Sequence, residues 1–83
     1  IHIYSYIYNM KEEVKRIAEA YQKTVKERID QLLEMDATMY TNLGSDSTKA
    51  EKAEVKKNSK IIYKAIKDID SHIGDSLLSH LDA

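Results

Sequence analysis

Apolar side chains recur at intervals of three and four residues along two stretches of the chain, a spacing typical of amphipathic α-helices. In the first stretch they fall within an arc of about 120° on a helical wheel. These positions are Met10, Val14, Ile17, Ala18, Tyr21, Val25, Ile29, Leu32, Met39 and Leu43. Four of them stand 11 residues apart, a period that keeps the apolar stripe nearly straight. The pattern predicts one continuous helix over about residues 10–42.

The residues after Asn42 favour a loop followed by a second helix. Gly44 can take the left-handed conformation that often ends a helix. Thr48 and Glu51 have the spacing of a capping box, which is typical of a helix start. We therefore predict a loop over residues 43–48 and a helix over about 49–70. The apolar stripe of this second helix consists of Val55, Ile62, Ile66, Ile69 and Ile73.

The residues around Asp70 and Gly74 predict that the second helix stops and that a short third helix follows. Asp70 and Ser71 are typical of a helix boundary, and Gly74 lies close behind them. We place the third helix over about residues 71–82. The alternative is one continuous helix through Gly74, at a cost of about 1 kcal/mol for the glycine.

These elements predict an all-α fold, with a single domain over residues 10–83. Two long helices joined by a short loop lie antiparallel, so we expect a helical hairpin with a short C-terminal helix. Charge agrees, because the acidic stretch 27–46 would lie opposite the lysine-rich stretch 49–60. Two facing stripes leave apolar flanks in water, and a homodimer that closes a four-helix bundle would cover them. The residues expected to mediate this association are Val14, Ile17, Tyr21, Val25, Leu32, Ile62, Ile66 and Ile69.

The first nine residues have a different pattern from the rest of the chain. Isoleucine and tyrosine alternate with period two over residues 1–8, which is typical of a β-strand. Asn9 then has the properties of an N-cap for the helix that begins at Met10. Residues 1–9 are thus an N-terminal tail, and one interpretation is that they are a non-native leader upstream of a start at Met10. The other is a genuine segment that pairs with a second copy or extends the helix.

Asp36 is the one carboxylate inside the apolar arc of the first helix. Buried carboxylates are rare, so we expect the helix to loosen here, near its end. The alternative is a buried polar group that fixes the register between helices. Tyr21, Tyr40 and Tyr63 stand at helical spacing from apolar neighbours, and we expect half-buried rings with outward-facing hydroxyl groups.

Composition narrows the setting in which the chain works. The 83 residues include 13 basic and 14 acidic side chains, a balance that suits exposed helices. There is no cysteine, which excludes disulfides and thiolate metal sites. No apolar run approaches the roughly 20 residues of a membrane span. We therefore expect a soluble cytoplasmic chain without membrane contact.

Lysines gather on one face of the second helix, opposite its apolar stripe. They fall within an arc of about 140° and extend over about 27 Å, long enough to meet several phosphates of a nucleic acid. These residues are Lys49, Lys52, Lys56, Lys57, Lys60, Lys64 and Lys67, and they are called the lysine face below. Such a run is usually a solvated face, and it lacks arginine, the usual reader of phosphates and guanines. Nucleic-acid binding is therefore the alternative function rather than the favoured one.

Signals for catalysis are weak. His72 has Asp68 and Asp75 one helical turn to either side, but no second cluster supplies further metal ligands. The polar residues after Gly44 lack the second glycine of a phosphate-binding loop, and helix capping explains them. We expect no catalytic, cofactor or metal site, and a non-enzymatic protein that acts by self-association and contact with an unidentified protein partner.

Two segments of the C-terminal half resemble small uncharacterised helical proteins of tailed bacteriophages. They are Met39–Lys49, with the sequence MYTNLGSDSTK, and Ile62–Asp70, with the sequence IYKAIKDID. The resemblance rests on no mechanistic motif, and it assigns no residue a role. It implies a phage accessory or structural protein, in the cytoplasm of an infected bacterium or in a virion.

Overall fold

The described part of the chain, residues 2–81, forms four α-helices. A computed structural model describes the backbone of residues 2–81 and the side chains of residues 10–81. The helices are α1 (His2–Ala18), α2 (Val25–Thr41), α3 (Lys49–Ile69) and α4 (Ser71–Leu81). The all-α prediction is therefore confirmed over the described residues. The predicted loop over 43–48, the helix start at Lys49 and the restart at Ser71 agree with these bounds, while residue 82 lies outside them.

The prediction of one helix over residues 10–42 is wrong, because residues 19–24 separate α1 from α2. Thr24 begins α2 with a capping box: its hydroxyl accepts from the Glu27 N–H, and the Glu27 carboxylate accepts from the Thr24 N–H. Hydrogen bonding of the Glu27 carboxylate to the Thr24 backbone, and then to the Thr24 side chain, lowers the pKa of Glu27, which keeps the carboxylate charged near the positive end of the helix. A second helix start thus overrides the apolar repeat that predicted a continuous helix.

Arg28 holds the two helices together across the break. Its Nη1 donates to the carbonyl oxygen of Ala18, the last residue of α1, at 2.8 Å. Its guanidinium also lies 5.2 Å from the centre of the Tyr21 ring, within cation–π range. Tyr21 itself is 75% exposed, so the expectation that it would be half-buried is wrong. The stripe is interrupted at the break, because Tyr21 lies on the surface of the turn, and it resumes in the core at Ile29.

The break lets α1 pack against both α2 and α3. The buried core contains residues from all three helices, and they are Met10, Val14, Ile17, Ile29, Leu32, Ile62 and Ile66. Five of the eight residues predicted to mediate self-association are therefore part of the core of one chain: Val14, Ile17, Leu32, Ile62 and Ile66. Of the remaining three, Ile69 is partly buried, whereas Tyr21 and Val25 are exposed. Helix α1 supplies part of the cover that was expected from a second copy.

The N-terminal residues belong to α1. The strand prediction is wrong for residues 2–8, because the backbone of α1 is helical from His2, and it passes through Asn9 without starting there. Ile1 lies outside the described residues. Between pairing as a strand and extending the helix, the backbone follows the second, while the interpretation of residues 1–9 as a non-native leader stays a prediction.

Asp36 forms a buried hydrogen-bonded group with two hydroxyls of α3. Its side chain is 7% exposed, and its two carboxylate oxygens accept from Ser59 Oγ at 2.5 Å and from Tyr63 Oη at 2.6 Å. Helix α2 continues to Thr41, so the expectation that the helix loosens around Asp36 is wrong. The hydroxyl of Tyr63 also points inward rather than outward. Two O–H donors replace the water that a buried carboxylate loses, and these hydrogen bonds join α2 to α3.

We expect the hydrogen bond between Tyr63 and Asp36 to make the fold less stable at alkaline pH. Partial burial, and then the hydrogen bond to Asp36, raises the pKa of Tyr63 well above its ordinary value. The unfolded chain releases the phenol proton near its ordinary pKa of about 10, whereas the folded chain keeps it to higher pH. The contribution to stability is therefore fully present below about pH 10 and is lost as the pH rises further. We expect the urea midpoint of the wild type to fall more steeply above about pH 10 than that of Tyr63→Phe.

Tyr21→Phe is the matched control for this comparison, because Tyr21 is exposed and makes no hydrogen bond to a carboxylate among the described residues. It should keep the wild-type slope. Parallel alkaline slopes for the wild type and Tyr63→Phe would show that the phenol proton is not linked to folding.

Helix α4 packs closely on α3 through Gly74. The short linker is capped by Asp70, whose N–H donates to Ile66 and whose carboxylate accepts from the Ile73 N–H. Gly74 is buried, and a Cβ atom at this position would lie 2.3 Å from the Cα of Lys67. Beside this contact, Lys67 Nζ lies 2.8 Å from the Asp75 carboxylate. Gly74 thus permits close helix contact inside α4, while the break itself lies at Asp70.

Candidate functional site

The lysine face lies on the surface of α3, and all seven of its residues are exposed. Lys67 pairs with Asp75 across the α3–α4 contact, which raises the pKa of Lys67. Among the described side chains, the other six have no carboxylate within ion-pair distance. The six residues other than Lys67 therefore form a basic surface over the first four turns of α3, and one of them, Lys64, also lines a small groove described below.

The histidine cluster considered from the sequence does not form a metal site. His72 is exposed, and Asp75 is paired with Lys67. Within residues 10–81, no group of three metal-ligating side chains lies close enough together to hold an ion.

An apolar groove lies between α1, α2 and α3, with a volume of about 1120 Å³. Its floor combines two buried residues of α1, Met10 and Ile17, with partly buried residues of α2 and α3. The apolar lining residues are Met10, Ile17, Met35, Met39, Leu43 and Val55. All three methionines of the chain are among them. We call this surface the methionine groove.

The groove exists because the facing parts of α2 and α3 differ in apolar bulk. Helix α2 keeps its stripe as far as Met39, and Leu43 follows just after the helix ends. The opposite turns of α3, residues 49–60, offer only two alanines and Val55 as apolar side chains. These small side chains cannot fill the space beside the methionines, and the floor stays open to water. The core that α1, α2 and α3 share is filled only farther along α3, after residue 60.

The rim of the methionine groove is acidic. Five of the seven glutamates of the chain line it, namely Glu12, Glu13, Glu34, Glu51 and Glu54. The cation among the lining residues is Arg16, and its guanidinium donates to the Glu13 carboxylate, which lowers the pKa of Glu13. Among the described lining residues there is no lysine, although lysine is the most frequent basic residue of the chain. The rim therefore carries excess negative charge around an apolar floor.

A second and smaller groove, of about 600 Å³, lies beside the break between α1 and α2. Its rim carries both signs of charge. The basic residues are Lys11, Lys15, Arg28 and Lys64, and the acidic ones are Glu19 and Asp68. The rim of this second groove has both positive and negative charges, and the groove is smaller. It therefore indicates the class of ligand less clearly than the methionine groove does.

Sequence reasoning placed the lysine face correctly on the surface but missed the methionine groove. A signal was present: the apolar stripe of the first helix reaches Leu43, whereas residues 49–60 have few apolar side chains to cover it. That mismatch predicts an uncovered apolar strip near the loop. The third wall, which α1 forms, could not be inferred, because α1 reaches the groove only if the chain changes direction at residues 19–24.

Comparisons with other proteins identify no relative. Models of known protein families, curated proteins and solved structures all give no match to the chain. Within residues 2–81, no helix is both long enough and apolar enough to cross a membrane. Because no relative indicates a function, the function has to be inferred from the surfaces of the chain, and the methionine groove and the lysine face are the two candidates.

Proposed function

We propose that the chain is a non-enzymatic binding protein that uses the methionine groove to contact a protein partner. The observation that carries this proposal is the gathering of all three methionines along one groove, where Met35 and Met39 are partly buried and Met10 is 9% exposed. Methionine is flexible and polarisable, and it is frequent where a surface must adapt to the apolar face of a partner. Apolar surfaces of this kind on small domains usually mark interaction sites.

A protein segment suits the groove better than a small molecule does. The volume of about 1120 Å³ exceeds the range of roughly 300–1,000 Å³ typical of small-molecule pockets. The lining residues run from Gln31 along α2 to its C-cap Asn42, a length of about 16 Å at the helical rise, and Leu43 follows. An elongated open groove of this length fits an extended or helical segment of another chain.

We also propose that α2 and α3 form the antiparallel hairpin predicted from the sequence. The hydrogen bonds from Ser59 and Tyr63 to Asp36 support it, as do Leu43 and Glu51, which line the same groove from the two sides of the loop. Self-association into a homodimer is a narrower form of the binding proposal, in which a second copy occupies the groove. The setting implied by the resemblance, a phage accessory or structural role, is part of this proposal.

The second candidate function is nucleic-acid binding through the lysine face. It is favoured by one observation: six exposed lysines of α3 have no carboxylate partner within ion-pair distance among the described residues. Neutralised phosphates would release counterions, so such binding would weaken steeply with salt. The face has no aromatic side chain for base stacking and no arginine, which leaves contact with phosphates alone.

Site-specific photo-crosslinking separates the two functions. A benzophenone amino acid is placed at Met39 in the groove or at Lys60 on the lysine face, and the chain is irradiated in bacterial cells that express it. We expect discrete protein adducts from position 39, and their loss when Val55→Asp places a charge in the floor. The chain that carries the crosslinker at position 60 is the matched control and should give no discrete adduct.

The adducts also identify the class of partner. A product of twice the chain mass would assign the groove to a second copy, and a product of another mass to a different protein. A nuclease-sensitive adduct from position 60 would favour the second function. The charge reversal Lys56→Glu plus Lys60→Glu is then tested with the crosslinker at position 57, where loss of the adduct would also favour it. Absence of any adduct from position 39 would contradict the proposed function.

A further inference from the structure

Charge at the groove rim restricts what can bind there. Of its five glutamates, Glu13 is paired with Arg16, and the other four form no ion pair among the described residues. Glu12, Glu34 and Glu54 are exposed, and none of their carboxylates accepts a hydrogen bond from a described side chain. An acidic ligand brought to this rim would meet repulsion, whereas a basic ligand would find several free carboxylates.

From this arrangement we propose that the methionine groove binds a basic amphipathic helix of another protein. The apolar row of that helix would contact the methionines, and its lysines or arginines would lie against the free glutamates of the rim. This inference rests on the proposed function and adds the chemistry of the partner. It follows from charge complementarity around an apolar floor, the arrangement by which grooves hold amphipathic helices.

The dimensions of the groove suit a helix. Its length of about 16 Å along α2 corresponds to about three helical turns. A helix of three turns presents one row of apolar side chains at i, i+3, i+4 and i+7, a set comparable with the six apolar residues of the lining. Glutamates from α1, α2 and α3 stand around this floor, so a helix in the groove would have carboxylates on more than one flank.

A second copy of the chain is a poorer occupant. The large apolar side chains exposed within the described residues are Tyr21, Val25, Tyr40 and Ile73. None of them belongs to the lysine face, and the apolar stripe of α3 is used in the core. Residues 10–81 thus offer no helix that combines an exposed apolar row with flanking basic residues. Among the described residues, no surface of the chain itself complements the groove, which favours a different protein as the partner.

The test uses two synthetic peptides as probes. Both have leucines at helical spacing; lysines fill the remaining positions of one, and glutamates those of the other. Binding of each labelled peptide to the full chain is measured by fluorescence anisotropy. We expect the leucine–lysine peptide to bind at least about tenfold more tightly than the leucine–glutamate peptide, since like charges across an interface are repelled. A scrambled leucine–lysine peptide, with equal charge but no apolar face, should bind weakly.

Matched variants locate the binding. The rim variant Glu12→Gln, Glu34→Gln, Glu54→Gln removes three negative charges, and we expect it to weaken binding of the leucine–lysine peptide about tenfold or more. The control variant Glu19→Gln, Asp30→Asn, Asp68→Asn removes the same charge outside the groove and should change binding less than about twofold. Circular dichroism of both variants verifies that their helix content matches the wild type.

The outcomes distinguish this inference from the proposed function. Equal binding of the two amphipathic peptides, or equal losses in the rim and control variants, would overturn the basic-helix inference while photo-crosslinks from position 39 still supported a protein-binding groove. Tight binding of the scrambled peptide would also overturn it, because charge alone would then suffice. Crosslinks to a second copy would replace the inferred partner by the chain itself. If the full chain does not bind the leucine–lysine peptide and gives no crosslink from position 39, both proposals are refuted.

Discussion

Asp36→Ala is expected to lower the free energy of unfolding by about 3 kcal/mol, because it removes the acceptor of two buried hydrogen bonds. Hydrogen bonds to a charged group contribute about 1.5–3 kcal/mol each. Ser59 is fully buried, so its hydroxyl would lose its carboxylate acceptor at a position that water does not reach. Urea denaturation followed by circular dichroism measures the change, with Ser59→Ala and Tyr63→Phe as smaller steps that each remove one bond.

A combined replacement tests whether the fold needs the polar atoms of Asp36, Ser59 and Tyr63 for its stability. Asp36→Leu with Ser59→Ala and Tyr63→Phe removes all the polar atoms together, and such apolar replacements of buried polar groups are often nearly neutral. We expect it to recover most of the loss caused by Asp36→Ala. A loss below about 1 kcal/mol in Asp36→Ala would contradict the prediction that the two hydrogen bonds to Asp36 stabilise the fold.

Gly74→Ala is expected to destabilise the chain even though alanine is the better helix former. A Cβ atom would lie 2.3 Å from the backbone of Lys67, so α4 would have to move away from α3. Overpacking of this kind costs about 1–3 kcal/mol, against a gain of about 1 kcal/mol in helix propensity. The net loss should appear as a lower urea midpoint and as weaker protection of α4 amides in hydrogen exchange.

Ser79→Ala is the matched control, because Ser79 is exposed in the same helix and its replacement changes propensity without a steric conflict. It should be neutral or slightly stabilising. A stabilised Gly74→Ala chain would show that α4 is not held against α3 at this distance.

The sequence predicted α3 and α4 well because their boundaries depend on local chemistry. Thr48 and Glu51 form a capping box, and Asp70 ends one helix before Ser71 begins the next. The same local signal is present at Thr24 and Glu27, where it marks the start of α2. It is easily overlooked because the apolar repeat continues through Tyr21 and Val25 and no glycine or proline interrupts residues 19–24. Periodicity alone therefore joins two helices that a cap separates.

Features that depend on tertiary contacts could not be predicted in the same way. The partners of Asp36 stand 23 and 27 residues away along the chain, so its burial could be recognised only once α2 and α3 were placed together. The methionine groove likewise needs α1 to fold back across the break, since Met10 and Ile17 form part of its floor. The exposure of the lysine face, by contrast, follows from helical periodicity on a single element, and it was predicted correctly.

The most direct test of the binding proposal observes the three methionine methyl groups themselves. All of them line the groove, so a sample labelled at the methionine methyls reports on this surface by NMR during titration with the leucine–lysine peptide. We expect the resonances of Met10, Met35 and Met39 to shift together and to saturate at one affinity. Peptide binding that leaves all three resonances unchanged would place the interaction elsewhere on the chain and contradict the assignment of the groove.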